Sequence, residues 1–179
     1  MKINLTINAV KHDIECNPSE SLLSTVRRLG YYGVKFGDEH GLSGSDTVLL
    51  DGKPVNAGSM LAAQAEGPNI VTIEGLGEHP EQGWRKTDGL HPIQQAFVES
   101  GAIQCGYCTP AQILAAKALL DQNPNPSEDE ARDAIAGSHS LRLVRLVGLG
   151  SNDLVASEQQ AVRPFGDEAA CALAGKLQF

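Results

Sequence analysis

The chain opens with strict alternation. In positions 2–9, KINLTINA, Ile3, Leu5 and Ile7 recur every second residue, the period of a strand with one buried face. A second short strand is expected over Lys11–Cys16. Asn17-Pro18-Ser19 is a turn and capping signal, after which the period becomes helical. Over Glu20–Leu29, Leu22, Leu23, Val26 and Leu29 share one face, and Gly30 stops the helix. Thr47–Leu50 reads as a strand, Asp51-Gly52 as a tight turn and Lys53–Asn56 as the return strand. Met60–Ala65 reads as a helical turn and Asn69–Glu74 as a last strand. Between them Gly33–Gly44, GVKFGDEHGLSG, is too glycine-rich to be anything but loop. Two strands, a helix, and short strands around a long loop describe a small α+β roll of the β-grasp type.

Past this point the pattern changes. Gly75–Gly89 is rich in Gly, Pro and charge and reads as a linker. Pro92–Ser100 starts a helix with Pro at its first position, and Pro110–Leu120 starts another with Thr109 as its expected cap. Ser127–Ile135 opens with the capping box Ser127-x-x-Glu130. Ser140–Gln160 is a fourth helical stretch, interrupted at Gly148 and Gly150. The expected organisation is a β-grasp domain over 1–75, a linker over 76–89, a four-helix bundle over 90–160 and a tail over 161–179.

Composition narrows the partners. The chain has 179 residues, 41% of them hydrophobic, enough to bury a core. Its 22 acidic and 14 basic residues give a net charge of −8, which repels phosphate backbones and anionic lipids. Neither nucleic acid nor a membrane is an expected partner. No apolar run approaches a membrane span and the N-terminus is strand-like, not a signal peptide, so the expected compartment is the cytoplasm. Aromatic residues are only 4%, lean for a core standing alone, which points to apolar surface covered by a partner.

Of four cysteines, Cys16, Cys105, Cys108 and Cys171, only Cys105 and Cys108 are close in sequence. In a cytosolic chain Cys105-Gly106-Tyr107-Cys108 reads as half a metal site, a thiol redox pair, or two buried thiols kept by packing, with packing preferred. His12, His40, His79 and His139 show no metal-ligand spacing, and His91 before Pro92 reads as a cap. Gly148-x-Gly150 lacks the third glycine and the preceding strand of a dinucleotide fingerprint.

The glycine-punctuated loop after a β-grasp start, followed by HPIQQAFVESGAIQCGYCTP at His91–Pro110, resembles one family. It is the small iron–sulfur subunit of xanthine oxidase-type molybdenum hydroxylases, which include aldehyde oxidoreductases, carbon monoxide dehydrogenases and nicotinate dehydrogenases. The resemblance runs from about Ile3 to about Val155 and is most specific over Gln104–Pro110. It implies a ferredoxin-like β-grasp domain with one 2Fe–2S cluster and a helical bundle with a second. It also implies a large molybdenum-cofactor subunit as partner and, in some complexes, a flavin (FAD) subunit. Cluster irons take soft thiolate ligands.

At the ligand positions the chain departs from that pattern. Aligned on Gly37, Gly41, Gly44, Thr47 and Val48, the first cluster's positions fall on Asp38, Ser43, Asp46 and Gly58. In the bundle Cys105 and Cys108 remain, while the other pair falls on Ser140 and Arg142. Six of the eight expected ligands are absent, so neither cluster is expected. Asp38, Ser43 and Asp46, with Glu39, read either as a hard-cation site or as a polar loop bonded to itself, the latter preferred. By the resemblance Gln104, Cys105 and Arg142 border the molybdopterin of the partner. The expected function is a structural small subunit whose complex performs hydration, hydrolysis or isomerisation. The alternatives are an electron-transfer subunit with one atypically ligated cluster and a non-enzymatic binding or assembly module.

Overall fold

A computed structural model describes residues 1–37, 40, 42–77 and 89–136. The elements in chain order are β1 (Lys2–Ile7), β2 (Val10–Glu15), α1 (Leu22–Arg28), β3 (Thr47–Leu50), β4 (Lys53–Asn56), β5 (Asn69–Val71), α2 (Pro92–Glu99), α3 (Thr109–Gln122) and α4 (Glu128–Ala136). Short 3-10 turns cover Ala62–Ala65 and Ile73–Gly75. The expected fourth helix over Ser140–Gln160 and the tail lie outside the described residues, as does most of the expected linker.

The five strands form one mixed sheet in the order β2-β1-β5-β3-β4. β1 and β2 pair antiparallel from Lys2↔Glu15 to Ile7↔Val10, through a turn in which Asn8 and Ala9 both have positive φ, the geometry that matches hairpin twist. β5 lies parallel to β1, with Ile7 opposite Ile70, and antiparallel to β3, with Leu49 opposite Val71. That parallel pairing of the first and last strands, with α1 crossing between them, makes the β-grasp. β3 and β4 turn at Asp51-Gly52, as the sequence implies.

The alternation of β1 is realised in full. Ile3, Leu5 and Ile7 are buried and join Leu22, Leu23 and Val26 of α1, with Val48 and Ile70, in one core. The helix begins two residues later than its periodicity suggests. Ser21 takes the cap, its Oγ accepting from Ser24 N at 3.2 Å. Gly30 adopts φ +101 just past the end, and Tyr31 N donates to Val26 O, so the last turn closes as expected.

β3 has a second face. Val48 belongs to the core under α1, but Leu49 points the other way and joins Ile93, Phe97, Ile113, Leu114 and Ile135 of the helices. A strand flanked on both sides reads as a continuous apolar run, which explains TVLL. Its neighbour α3 is correspondingly buried nearly all round, with alanines at 111, 115, 116 and 118 letting backbones approach. Fully burying a leucine such as Leu49 contributes about 1.5–3 kcal/mol to holding the two parts together.

Three further boundaries differ from the sequence reading. The last strand ends at Val71 and tightens into the turn Ile73–Gly75, because Thr72 and Glu74 turn inward to a buried polar network instead of pairing with a neighbour. Thr109 is not the cap of α3 but its first residue; Cys108 stands at the cap and offers no side-chain bond. β2 starts at Val10, one residue early, because the two-residue turn at Asn8-Ala9 returns the chain at once. By contrast His91 caps α2: its Nδ1 accepts from Ile93 N at 3.3 Å, and Gln94 Oε1 accepts from His91 N at 2.8 Å.

Candidate functional site

Two places in the fold carry the chemistry that the sequence singles out. One is the loop from Gly33 to Gly58. The other is the junction between α2 and α3.

The start of the loop is held from two sides. Gly33 N donates to Glu74 Oε1 at 2.6 Å, and Glu74 Oε2 accepts from Thr72 Oγ1 at 2.6 Å. Thr72 is in turn bonded through its N–H and its hydroxyl to the Asn8 side chain, at 2.9 Å each. This buried chain from Asn8 to Gly33 leaves no room at either glycine. A Cβ on Gly75 would stand 2.1 Å from Asn8 Oδ1, and one on Gly33 would stand 2.1 Å from Ile73 Cγ2. On the other side Arg27 Nη1 donates to Val34 O at 2.6 Å.

Within the loop Ser43, Asp46 and Thr47 make close contacts with neighbouring backbone, while Phe36 and Leu42 are exposed. A Cβ on Gly37 would stand 1.7 Å from Ser43 Oγ, so Ser43 occupies the space that Gly37 leaves. Ser43 Oγ also accepts from Ser45 N at 3.4 Å. Thr47 Oγ1 donates to Gly44 O at 2.7 Å. Asp46 is fully buried; its carbonyl accepts from Ala57 N at 3.2 Å and its Oδ2 accepts from Gly58 N at 2.5 Å. A buried carboxylate needs such donors, because taking it out of water unpaired costs several kcal/mol. Asp46 and Gly58 are thus brought together, while Ser43 stands against Gly37 and Ser45; Asp38 lies outside the described residues.

At the junction the chain leaves α2 through Ser100 and Gly101 and enters α3 through Gln104–Cys108, with Gly106 at φ +79. Cys105 is exposed and Cys108 is buried, which corrects the expectation of two buried thiols: the left-handed turn at Gly106 aims one side chain out and one in. Burial pushes the Cys108 thiol above the ordinary cysteine range, a smaller effect of its own backbone pulls it down, and neighbouring Cys105 adds to the rise. Cys108 is therefore protonated at neutral pH. Gln104 is exposed and makes no hydrogen bond among the described residues. Ser140 and Arg142 lie outside them. Tyr107 Oη donates to Phe36 O at 2.5 Å, tying the junction to the loop across 71 residues of sequence. Neither that tether nor the Asn8–Thr72–Glu74 network is visible in the sequence pattern, since each member belongs to a different element.

The donor sets differ. Between Cys16 and Cys105 the sequence has no cysteine, so the loop supplies oxygen donors, the His40 imidazole and backbone groups but no thiolate. Cys16 itself is buried in the core beneath α1. Among the described residues no group of three or more His, Cys, Asp and Glu side chains converges on a metal-sized space. A thiolate-ligated cluster does not fit the loop as its side chains stand. No described helix is long and apolar enough to cross a membrane.

A β-grasp sheet with a helical unit packed on its second face, and a Cys-x-x-Cys turn at the head of a buried helix, make an arrangement that known iron–sulfur subunits share. A family model, the [2Fe-2S] binding domain, matches residues 72–140. The nicotinate dehydrogenase small FeS subunit of Eubacterium barkeri is 43% identical over 138 residues, spanning 76% of this chain and 82% of that one. The aldehyde oxidoreductase of Megalodesulfovibrio gigas is 43% identical over 132 residues, which cover 72% of this chain and 14% of that much longer one. The crystal structure of quinoline 2-oxidoreductase from Pseudomonas putida 86 superposes with a TM-score of 0.73 at 31% identity, over 97% of this chain and 95% of that one. The chain belongs to the family of small iron–sulfur subunits of the xanthine dehydrogenase and aldehyde oxidoreductase type.

Proposed function

We propose that this chain is the small subunit of a molybdenum enzyme complex in which it has become structural, holding neither 2Fe–2S cluster and completing the surroundings of a molybdenum cofactor carried by the large subunit. The single observation that carries the reading is the bond between Asp46 and Gly58. Both stand at positions where the family resemblance expects a cluster ligand, and here one closes on the other. Ser43, at a third such position, fills the space beside Gly37. A loop that closes on itself through such bonds does not depend on iron for those contacts.

In this reading the domain organisation is the β-grasp over 1–75, a linker over 76–89 and a bundle over 90–160. By the family resemblance Gln104, exposed at the junction and with donor and acceptor both unspent, borders the pterin of the partner, as do the positions of Cys105 and Arg142. The complex is cytoplasmic, with or without a flavin subunit. Lacking an electron path through this chain, it performs hydration, hydrolysis or isomerisation, or passes electrons directly to another acceptor.

The match to the [2Fe-2S] binding domain, with Cys105 and Cys108 in place, favours a second reading: an electron-transfer subunit with one atypically ligated cluster in the helical unit. Metal analysis of the purified complex separates the two. Molybdenum with no stoichiometric iron in this subunit, and no broad visible iron–sulfur absorption, is the expected result. Two irons per chain with an EPR signal on reduction would restore electron transfer and overturn the structural role.

A further inference from the structure

We propose that the cleft beside Gly58 binds a small organic oxyanion, a carboxylate or phosphate carrying an apolar body. The cleft has a volume of about 600 Å³, and its lining includes Ser21, Ser24, Arg27, Phe36, Gly58 and Leu61. That volume suits one small ligand.

The polar side is built around Arg27. Its Nη1 is committed to the carbonyls of Val34 and Tyr32, at 2.6 and 3.3 Å, and its guanidinium lies 5.6 Å from the centre of the Tyr32 ring. Those contacts fix the plane of the group without answering its charge. No carboxylate pairs with Arg27 among the described residues, whereas adjacent Arg28 is paired with Glu20 at 3.1 Å. In a chain of 22 acidic and 14 basic residues, a held arginine without a carboxylate is unusual. Its Nε and Nη2 remain as the two-pronged edge that a carboxylate or phosphate accepts from most readily.

Two hydroxyls line up with Arg27 along the same ridge at three-residue intervals, those of the cap Ser21 and of Ser24. Ser21 Oγ accepts from Ser24 N, which leaves its own hydroxyl hydrogen to donate. Ser24 Oγ has no partner among the described residues. Opposite in character are Phe36 and Leu61, 53% and 41% exposed, large apolar side chains that the fold leaves bare. Gly58 adds no side chain to fill the space, and its N–H is already taken by Asp46. Charge, hydroxyls and apolar wall together select an anion with a hydrocarbon body over either alone. Gly58 is itself one of the first cluster's positions, so the site rests on the reading that this loop holds no cluster, while Arg27, Ser21, Ser24, Phe36 and Leu61 lie outside those positions.

The test is NMR titration of the isotope-labelled full chain with phenylacetate, phenyl phosphate, inorganic phosphate and benzyl alcohol. The two aryl anions should saturably shift the amides of Ser24, Gly58 and Leu61 and the Arg27 Nε–H, and should bind about tenfold or more tightly than benzyl alcohol. Which of the two is tighter identifies the oxyanion as carboxylate or phosphate. Ser59→Phe, which fills the cleft from its rim, should abolish the shifts, and Ser24→Ala should weaken them. Neither touches the Arg27 bonds to the loop, so both should fold. Arg27→Gln should remove the preference for anions over benzyl alcohol. Equal binding of benzyl alcohol, shifts scattered over Lys53 and Lys117, or no saturation by about 10 mM would overturn the proposal.

Discussion

The loop from Gly33 to Gly58 and the junction between α2 and α3 both occupy places where the family resemblance expects cluster ligands, and they are built differently. In the loop the polar side chains that turn inward bond to nearby backbone: Ser43 Oγ accepts from Ser45 N beside Gly37, and Asp46 Oδ2 accepts from Gly58 N. In the junction Cys108 is buried without a charged partner and Cys105 stands in the open. A polar group in an interior must be satisfied locally or the fold loses about 1–3 kcal/mol for each. A thiol makes no such demand, because it buries like a small apolar group. Replacing thiolates by oxygen donors therefore forces a loop to reorganise around them. Keeping two thiols lets a helix junction stay as it is.

Four experiments bear on this contrast, in order of expected effect. Leu49→Ala attacks what both regions share, the leucine that β3 sends into the helical core, and should cost about 3–4 kcal/mol in denaturant unfolding. A loss below 1 kcal/mol would mean that the sheet and helices do not rely on this seam. Asp46→Ala should cost about 2–3 kcal/mol by leaving Gly58 N–H unanswered, Asp46→Asn distinctly less, and Cys105→Ala under about 0.5 kcal/mol. If the cysteine variant proves the more damaging of the two, the contrast is reversed. Refolding with and without added iron should leave these values unchanged.

Gly75→Ala tests the support behind the loop. Its Cβ would meet the Asn8 side chain, and overpacking there should cost about 1–3 kcal/mol with little change in the α2–α4 helices by hydrogen exchange. The smallest effect is a pH dependence at the start of α2. Burial lowers the His91 pKa below its ordinary 6.5, nearby Lys117 lowers it further, and Asp121 partly opposes. A depressed folded-state value means that the folded chain prefers neutral imidazole, the form whose Nδ1 accepts from Ile93 N. The stabilisation is thus complete above about pH 6.5 and is lost as the pH falls through the lower folded value. The loss should be about 1 kcal/mol or less, and His91→Asn should keep the cap while removing its share of the acid sensitivity. A stability curve identical in both proteins between pH 5 and 7 would dismiss the role.

Much of the fold was legible because its signals are local. Alternation at Ile3, Leu5 and Ile7, the Asp51-Gly52 turn, the Gly30 stop and the Ser127–Glu130 box each lie within a few residues of what they control. The Ser127–Glu130 box forms as read, with Ser127 N donating to Glu130 Oε2 at 2.7 Å. Errors fell where distant groups compete for a residue. Thr72 and Glu74 read as strand, yet Asn8 and Gly33 draw them inward from more than forty positions away.

What the sequence determined alone was the sheet-then-helices order, the family, and the chemical identity of each donor: oxygen in the loop, sulfur at the junction. Covalent chemistry and short-range periodicity settle those without a third dimension. Tertiary structure decided which donors meet. Asp46 and Gly58 are twelve residues apart and bond only because β3 and β4 run antiparallel and bring the two strand ends together. Tyr107 reaches Phe36 only because α3 packs across the sheet. Among the described residues Glu20 pairs with Arg28 and not with adjacent Arg27, because the two arginines leave the helix in different directions. Such pairings depend on the closure of long loops, whose entropy cost is offset by the apolar core as a whole and leaves no mark on the residues that profit from it.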